Sequence, residues 1–159
     1  MRGWERTGMQ KPTHMIEFET MVLGRHLRLH SPRPRRSTGH LDTSAYILLS
    51  RLSMEGPMSI GQLSEALGLD TSTLHRQTTA ILAAGLVERI ADPDGGMARK
   101  YRITDEGRDR LDAERAGSID GLERVLADWS AEDVAAFAGY LERFNTDIER
   151  LDGRPWPRP

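Results

Sequence analysis

Hydrogen-bonding side chains recur along one side of residues 71–84 in this 159-residue chain. At the helical repeat of about 3.6 residues, Leu74, Ile81 and Leu82 fall on one side of that segment. The opposite side carries hydroxyl, imidazole and guanidinium groups but no carboxylate: Ser72, Thr73, His75, Arg76 and Thr79. Such a helix can present donors and acceptors to base edges in a DNA major groove without repelling the phosphates. The segment is therefore a candidate for reading duplex DNA.

The side chains of this segment suit different DNA contacts. Arg76 is the best candidate for a bidentate bond to O6 and N7 of guanine, although it could hold a phosphate instead. His75 and Thr79 are the next candidates for bases. Ser72 and Thr73, together with Thr71, lie at the start of the helix, where the helix dipole and free backbone amides suit a phosphate. Ordinary solvent exposure is the alternative for each, and their grouping on one side argues against it.

A shorter helix is predicted just before this segment. Ser59, followed three residues later by Gln62, has the spacing of a capping box, and Ile60, Leu63 and Leu67 recur at helical spacing. Gly68 can adopt the left-handed conformation that ends a helix, and Asp70 can cap the next one. The sequence therefore predicts two helices joined by a tight turn.

A β-hairpin is predicted directly after the second helix. Gly85 stops the helix, residues 86–90 form a strand, the turn 92–96 reads Asp-Pro-Asp-Gly-Gly, and residues 99–104 form the returning strand. Helix, turn, helix and hairpin in this order make a winged helix-turn-helix.

With these elements in order, the chain resembles the MarR family of bacterial transcriptional regulators. The residues that carry the resemblance are Ile60, Leu63 and Leu67-Gly68-Leu69, Ser72-Thr73-Leu74-His75-Arg76, Gly85-Leu86-Val87-Glu88-Arg89, Asp92-Pro93, and Ile103-Thr104 with Gly107. The resemblance implies a homodimer held together by the first and last helices, bound to a pseudo-palindromic duplex. It further implies a repressor relieved by a small phenolic or other aromatic ligand, held between the dimer-forming helices and the DNA-reading unit.

The wing departs from the pattern of that family. The family usually places arginines just after the Asp-Pro turn, where this chain has Gly95-Gly96-Met97. We expect Arg99 and Lys100, with Arg102 as a further possibility, to supply the DNA contact from the returning strand; otherwise the wing touches only backbone phosphate.

The flanking segments complete a fold that is mostly α-helical with a small β-hairpin wing. We predict a tail over residues 1–12, an N-terminal dimerisation helix and basic loop over 13–40, a winged helix-turn-helix domain over 41–104, C-terminal dimerisation helices over 105–153 and a tail over 154–159. The domain opens with a buried-type helix over residues 41–54, capped by Asp42. Its Tyr46 is interpreted as an aromatic residue at the edge of the core, with a ligand-binding role as the alternative. The loop 31–40, with Arg33, Arg35 and Arg36, is either a solvated connector or a contact to phosphate or to a partner subunit.

Two long helices are expected after the wing. The first runs from Thr104 to about Trp129, with sparse apolar residues before Ile119. Ser130 and Asp133 have capping-box spacing, and the second, over about 131–151, carries an apolar stripe at positions i, i+3, i+4 and i+7. The stripe comprises Val134, Phe137, Leu141, Phe144, Ile148 and Leu151. We interpret it as packing between subunits rather than within one.

Charge is segregated along the chain, so the net charge of -2 says little about partners. Lys and Arg outnumber acids by eight to three in residues 1–40, acids outnumber bases by fourteen to six in 105–153, and 57–104 balances at five each. That balance, with the altered wing, supports the alternative of a winged-helix protein-interaction module that does not bind DNA. Steep salt dependence of duplex binding would distinguish the two.

Other classes of function are disfavoured by what the sequence lacks. The chain has no Cys, which excludes disulfides and thiol sensing, and it lacks a phosphate-binding Gly-rich loop, so we expect neither an enzyme nor a cofactor. His26 and His30 have the spacing to share a zinc ion, but without clear further ligands we interpret them as helix C-terminal histidines and expect no metal. The absence of a long apolar run or signal peptide predicts a cytoplasmic protein without membrane contact.

Overall fold

The computed structural model describes residues 11–30 and 41–159, and within them it contains six helices and a three-stranded sheet. The elements are α1 Thr13–His30, α2 Thr43–Glu55, β1 Met58–Ser59, α3 Ile60–Leu67, α4 Thr71–Ala83, β2 Val87–Ile90, β3 Lys100–Ile103, α5 Asp105–Val125 and α6 Ala131–Asp152. Helix α1 belongs to one compact unit, and α2 to α6 with the sheet belong to a second. The fold is mostly helical with a small antiparallel sheet, which confirms the predicted fold class. Most of the predicted N-terminal tail and the basic loop 31–40 lie outside the described residues.

Helix α1 has the bounds that the sequence predicted. It begins just after Pro12, whose carbonyl accepts the Met15 amide at 3.0 Å. Within its own unit, its large apolar side chains are exposed: Met15, Ile16, Phe18, Met21, Leu23 and Leu27. Of the two histidines considered for zinc, the side chain of His30 lies outside the described set.

The core of the second unit is built on α2. Asp42 caps this helix by accepting the Ala45 amide at 2.8 Å, as predicted. The side chains buried to less than 2 % exposure are Leu48, Leu49, Leu52, Leu63, Leu74, Thr78 and Leu111, drawn from α2, α3, α4 and α5. Tyr46 is half-buried and packs against this core, which agrees with its interpretation as a core-edge aromatic.

The predicted helix-turn-helix signals are all present. Ser59 accepts the Gln62 amide at 3.2 Å, and the Gln62 side chain accepts the Ser59 amide at 2.9 Å, which completes the capping box. Gly68 ends α3 in the left-handed conformation, with φ of 64°. Asp70 caps α4 through the Thr73 amide. Local hydrogen bonds and the left-handed Gly68 therefore fix where α3 ends and α4 begins.

The sheet contains one strand more than the sequence predicted. Strands β2 and β3 form the expected hairpin, and β1 pairs with β3 on its other side, so that the strand order is β1-β3-β2. Met58 lies opposite Tyr101, and Val87 lies opposite Ile103. With only two residues, β1 is too short to show the alternation by which a strand is predicted.

Helix α5 starts as predicted but ends earlier. Thr104 caps it by accepting the Gly107 amide at 3.1 Å, while its hydroxyl donates to the Gly85 carbonyl at 2.7 Å. The helix stops at Val125 instead of near Trp129, because a turn precedes Ser130, which caps α6 by accepting the Asp133 amide at 3.0 Å. The first turn of α5 is thereby tied to the end of α4.

In the described part of the chain, no helix is both long and apolar enough to cross a membrane. The same residues contain no group of three or more His, Cys, Asp or Glu side chains placed to hold a metal ion.

We predict that Gly107→Ala destabilises the fold. A Cβ at this position would collide with the Leu86 carbonyl oxygen and lie 2.8 Å from Ile103 Cγ1. Because a backbone carbonyl cannot move aside as a flexible side chain can, we expect a loss of about 1–3 kcal/mol, typical of an overpacked site. Urea unfolding followed by circular dichroism measures it.

Gly117→Ala is the matched control, because a Cβ at Gly117 meets nothing within 4 Å in the same helix. Replacing a glycine in a helix interior should stabilise the fold by roughly 0.5–1 kcal/mol. Equal effects of the two substitutions would show that the contact between α5 and Leu86 is loose.

Candidate nucleic-acid interface

Helix α4 is anchored by one side and exposed on the other. Leu74, Thr78 and Ile81 are buried in the core, and the Thr78 hydroxyl donates to the Leu74 carbonyl at 2.7 Å, so that no polar group on this side lacks a partner. The sequence had placed Leu82 rather than Thr78 on the buried side, and Leu82 is half-buried. Most of the predicted DNA-contacting residues of α4 are exposed, namely Thr71, Ser72, His75, Arg76 and Thr79, and Thr73 is half-buried. The structure thus brings the predicted set together on one surface.

The start of α4 already holds a negative charge. The Asp70 carboxylate accepts the Ser72 hydroxyl at 2.6 Å, the Thr73 amide at 2.7 Å and the Thr73 hydroxyl at 3.0 Å. These bonds, the Ser72 hydroxyl foremost, lower the pKa of Asp70 to about 2. Both hydroxyl protons are therefore committed to Asp70, and a phosphate at this position would meet an ionised carboxylate. The geometry disfavours the phosphate contact expected at Ser72 and Thr73, and leaves their oxygen lone pairs as acceptors.

Arg76 is the cation on the exposed side of α4. Its Nη2 lies 3.4 Å from the Thr73 hydroxyl oxygen, at the long end of the hydrogen-bond range. Within the described residues no carboxylate lies within salt-bridge distance of it. Its guanidinium is therefore free to make the bidentate contact for which its geometry is suited.

The wing is held together by an internal ion pair. The Asp92 carboxylate accepts the Asp94 amide at 2.9 Å and pairs with Lys100 Nζ at 2.9 Å, and the Asp94 amide is the main reason that the pKa of Asp92 lies below its usual range. Lys100 is only 8 % exposed. This residue, predicted from the sequence as a DNA contact, instead joins the returning strand to the turn. Its ammonium group lies under the turn, against Asp92 at 2.9 Å and Asp94 at 3.8 Å.

The remaining cations of the wing differ in whether their charge is already paired. Arg102 pairs with Glu88 across the hairpin at 2.8 Å, and Arg89 lies 5.9 Å from the centroid of the Tyr101 ring. Arg99 is exposed and has no salt bridge to any residue that the structure describes. At the tip, Met97 is fully exposed and Gly95 has φ of 82°. Arg99 and Arg89 are thus the wing cations that no carboxylate of the described residues neutralises.

A helix-turn-helix with an exposed polar α4, followed by an antiparallel wing, defines a winged helix-turn-helix DNA-binding protein. The sequence profile of the MarR family matches residues 41–96. The chain is 33 % identical over 136 residues to the HTH-type transcriptional regulator YxaD of Bacillus subtilis (strain 168), covering 86 % of this chain and 94 % of that protein. The chain belongs to the MarR family of transcriptional regulators, and accordingly it is not an enzyme.

Solved structures show the same fold. A MarR family protein from Bacillus stearothermophilus superposes with a TM-score of 0.73 at 20 % identity, covering 89 % of this chain and 99 % of that chain. FabT of Streptococcus pneumoniae, solved in complex with DNA, superposes with a TM-score of 0.69 at 15 % identity, again covering 89 % and 99 %. The solved structures show the fold, and family membership supports DNA binding as the general activity.

Proposed function

We propose that this regulator is a homodimer that inserts α4 of each protomer into successive major grooves of a pseudo-palindromic duplex. We further propose that it acts as a repressor whose affinity for DNA falls when a small aromatic ligand binds. The observation that carries the proposal is the exposed polar side of α4, where the Arg76 guanidinium has no salt bridge to any carboxylate that the structure describes. Two-fold symmetry then demands half-sites about one helical turn apart.

The contacts of α4 follow from the geometry just described. Arg76 is the proposed guanine contact, and His75 and Thr79 face the neighbouring bases from the same side. Thr71, Ser72 and Thr73 border the groove at the start of α4, where Ser72 and Thr73 serve as hydrogen-bond acceptors. In the wing, Arg99 approaches the duplex, while Lys100 contributes by holding the hairpin in shape.

The apolar surface of α6 supports the proposal of a dimer. None of its residues is buried, and the stripe Phe137, Leu141, Phe144, Ile148 and Leu151 is 39–79 % exposed. In α5, Ile119, Leu122 and Val125 are also exposed. Proteins that remain monomers rarely expose contiguous apolar surface on this scale. A second copy of the chain would cover this stripe.

A cavity in the second unit supports the proposal that a small aromatic ligand binds. Its volume is about 710 Å³, and it lies between α2, Arg115 of α5 and the C-terminal residues. Tyr46, Met54 and Trp156 give it an aromatic and apolar lining, and Arg115 contributes a positive charge. Ser50, which also lines it, has a buried hydroxyl with no hydrogen-bond partner in the described structure. An aromatic ring that carries a hydroxyl or carboxylate group would satisfy both the lining and Ser50.

A ligand of this kind relieves repression only if it binds the two geometries of the dimer unequally. A difference of a few kcal/mol between the DNA-competent and incompetent geometries is sufficient.

We predict that Arg76→Ala abolishes selective binding. The duplex is first obtained by selecting bound sequences from a random pool at near-physiological salt, which should enrich an inverted repeat. Loss of one bidentate guanine contact should cost about 1–3 kcal/mol per half-site, measured by fluorescence anisotropy. Arg110→Ala is the control, because Arg110 pairs with Glu106 at 3.0 Å on α5.

Full affinity in the Arg76→Ala protein would refute the assignment of α4 as the recognition helix. No enrichment of any sequence by the folded wild-type protein would instead favour the winged-helix protein-interaction module.

We predict that Phe144→Asp converts the dimer to a monomer. A carboxylate in the middle of the apolar stripe would have to be desolvated in the interface, whereas in the free chain Phe144 is 45 % exposed and the charge would remain in water. Sedimentation velocity measures the change. Asn145→Asp introduces the same residue one position away and should leave the dimer intact; dimers of both variants would exclude α6 from the interface.

We predict that hydroxybenzoates bind in the cavity and weaken DNA binding, and that Ser50→Ala weakens their binding. The loss should be roughly 2- to 12-fold, the equivalent of one neutral hydrogen bond of 0.5–1.5 kcal/mol. Calorimetric titration of a hydroxybenzoate panel measures it, with Ser118→Ala on α5 as the control. Equal affinity of the wild-type and Ser50→Ala proteins would place the ligand elsewhere.

A further inference from the structure

The residues that follow α6 are held by specific contacts, although the sequence predicted only an extended tail there. We call residues 154–159 the C-terminal strap. Gly153 ends α6 in the left-handed conformation, with φ of 67°. Glu149 accepts the Trp156 amide at 3.1 Å and two bonds from the Arg158 guanidinium, at 2.7 and 2.8 Å. The strap therefore folds back on the last turns of α6.

A buried arginine joins the strap to the core of the second unit. Arg51 of α2 is 6 % exposed and makes two bonds to Glu55, both at 2.9 Å. Its Nη1 donates to the Pro155 carbonyl at 3.1 Å, and its guanidinium lies 5.0 Å from the centroid of the Trp156 ring. Each of its three nitrogens thus donates one hydrogen bond, and these contacts fix the first half of the strap relative to α2.

The strap places Arg154 against the turn between α3 and α4. The Arg154 Cζ lies 2.8 Å from the point that a Cβ on Gly68 would occupy, so the guanidinium rests on a residue that has no side chain. Gly68 is two residues before Asp70, which corresponds to at most about 7 Å of chain. Arg154 is exposed, and within the described residues it has no salt bridge. A free cation is therefore held close to the start of the recognition helix.

We infer that Arg154 is a DNA-backbone contact that binds a phosphate at the rim of the major groove entered by α4. This inference rests on the proposed insertion of α4. The N-terminal end of a recognition helix is the end that meets the bases, and the phosphates bordering the groove pass beside that end. The ionised Asp70 repels these phosphates, and Arg154 offsets that repulsion through charge-assisted hydrogen bonds. Because it contacts only the backbone, Arg154 strengthens binding without selecting a sequence.

Salt dependence tests the inference with Arg154→Gln, Arg154→Lys and Arg150→Gln. Affinity for the selected duplex and for an unrelated duplex is measured by anisotropy across a salt series. Removing one phosphate contact should reduce the magnitude of the slope of log K against log salt by about 0.9 per bound protomer. If the variant and the wild-type protein bind equally at 1 M salt, the variant should then bind about fivefold more weakly at 0.15 M. Arg154→Gln should show this change on both duplexes, and Arg154→Lys should retain the wild-type slope.

Arg150→Gln removes the same charge from the last turn of α6, where Arg150 pairs with Asp147 at 2.9 Å, and should leave the slope unchanged. The inference is overturned if Arg154→Gln keeps the wild-type slope, if Arg150→Gln lowers it equally, or if Arg154→Lys loses it as well. A loss confined to the selected duplex would also overturn it, because that pattern marks a base contact. The proposed function is tested by whether the wild-type protein binds a selected duplex at all. The inference about Arg154 is tested separately, by comparing the salt dependence of the variants.

Discussion

Helix α4 is held in place by the burial of Leu74, Thr78 and Ile81, and the display of its other side depends on that anchor. Each buried aliphatic side chain contributes about 1.5–3 kcal/mol, and Thr78 avoids the cost of a buried hydroxyl by bonding to the Leu74 carbonyl. The proposed contact residues lie on an anchored helix, so their spacing would be fixed before DNA binds. A site of this kind loses little conformational entropy on binding.

Some arginines and lysines of the chain form ion pairs within the fold, and others are exposed without one. Arg51, Lys100 and Arg158 are tied to carboxylates that hold the strap and the wing in shape. Arg76, Arg99 and Arg154 are exposed and unpaired within the described residues. The net charge of -2 averages over both groups and over the acidic helices α5 and α6. It therefore says little about the field near the start of α4, where Arg76 is exposed and Arg154 lies against Gly68, two residues before Asp70.

Local chemistry was predictable from the sequence, and long-range contacts were not. The capping box at Ser59, the left-handed Gly68 and the Asp70 cap each depend on residues within a few positions of one another, and all three are present. Lys100 was predicted to be an available cation because the sequence does not show that the Asp92 carboxylate pairs with its ammonium group. The contact between Arg154 and Gly68 joins residues far apart in the chain, and neither residue type signals it. The chemistry of α4 could be predicted, but the commitment of the Ser72 and Thr73 hydroxyls to Asp70 could be recognised only from geometry.

Because the wing tip has no arginine, the charge that attracts the DNA phosphates has to come from other parts of the surface. A wing tip with arginines can place charge in the minor groove, but here the tip is Gly95-Gly96-Met97, and the nearby Lys100 is used to neutralise Asp92. Among the described residues of the hairpin, only Arg89 and Arg99 then lack a salt bridge, so a larger share of the attraction to phosphate is expected to arise elsewhere on the surface. The strap places the Arg154 guanidinium against the α3–α4 turn. A regulator with a weak wing and a charged strap would still depend on salt steeply, because counterion release counts phosphate contacts regardless of which element makes them.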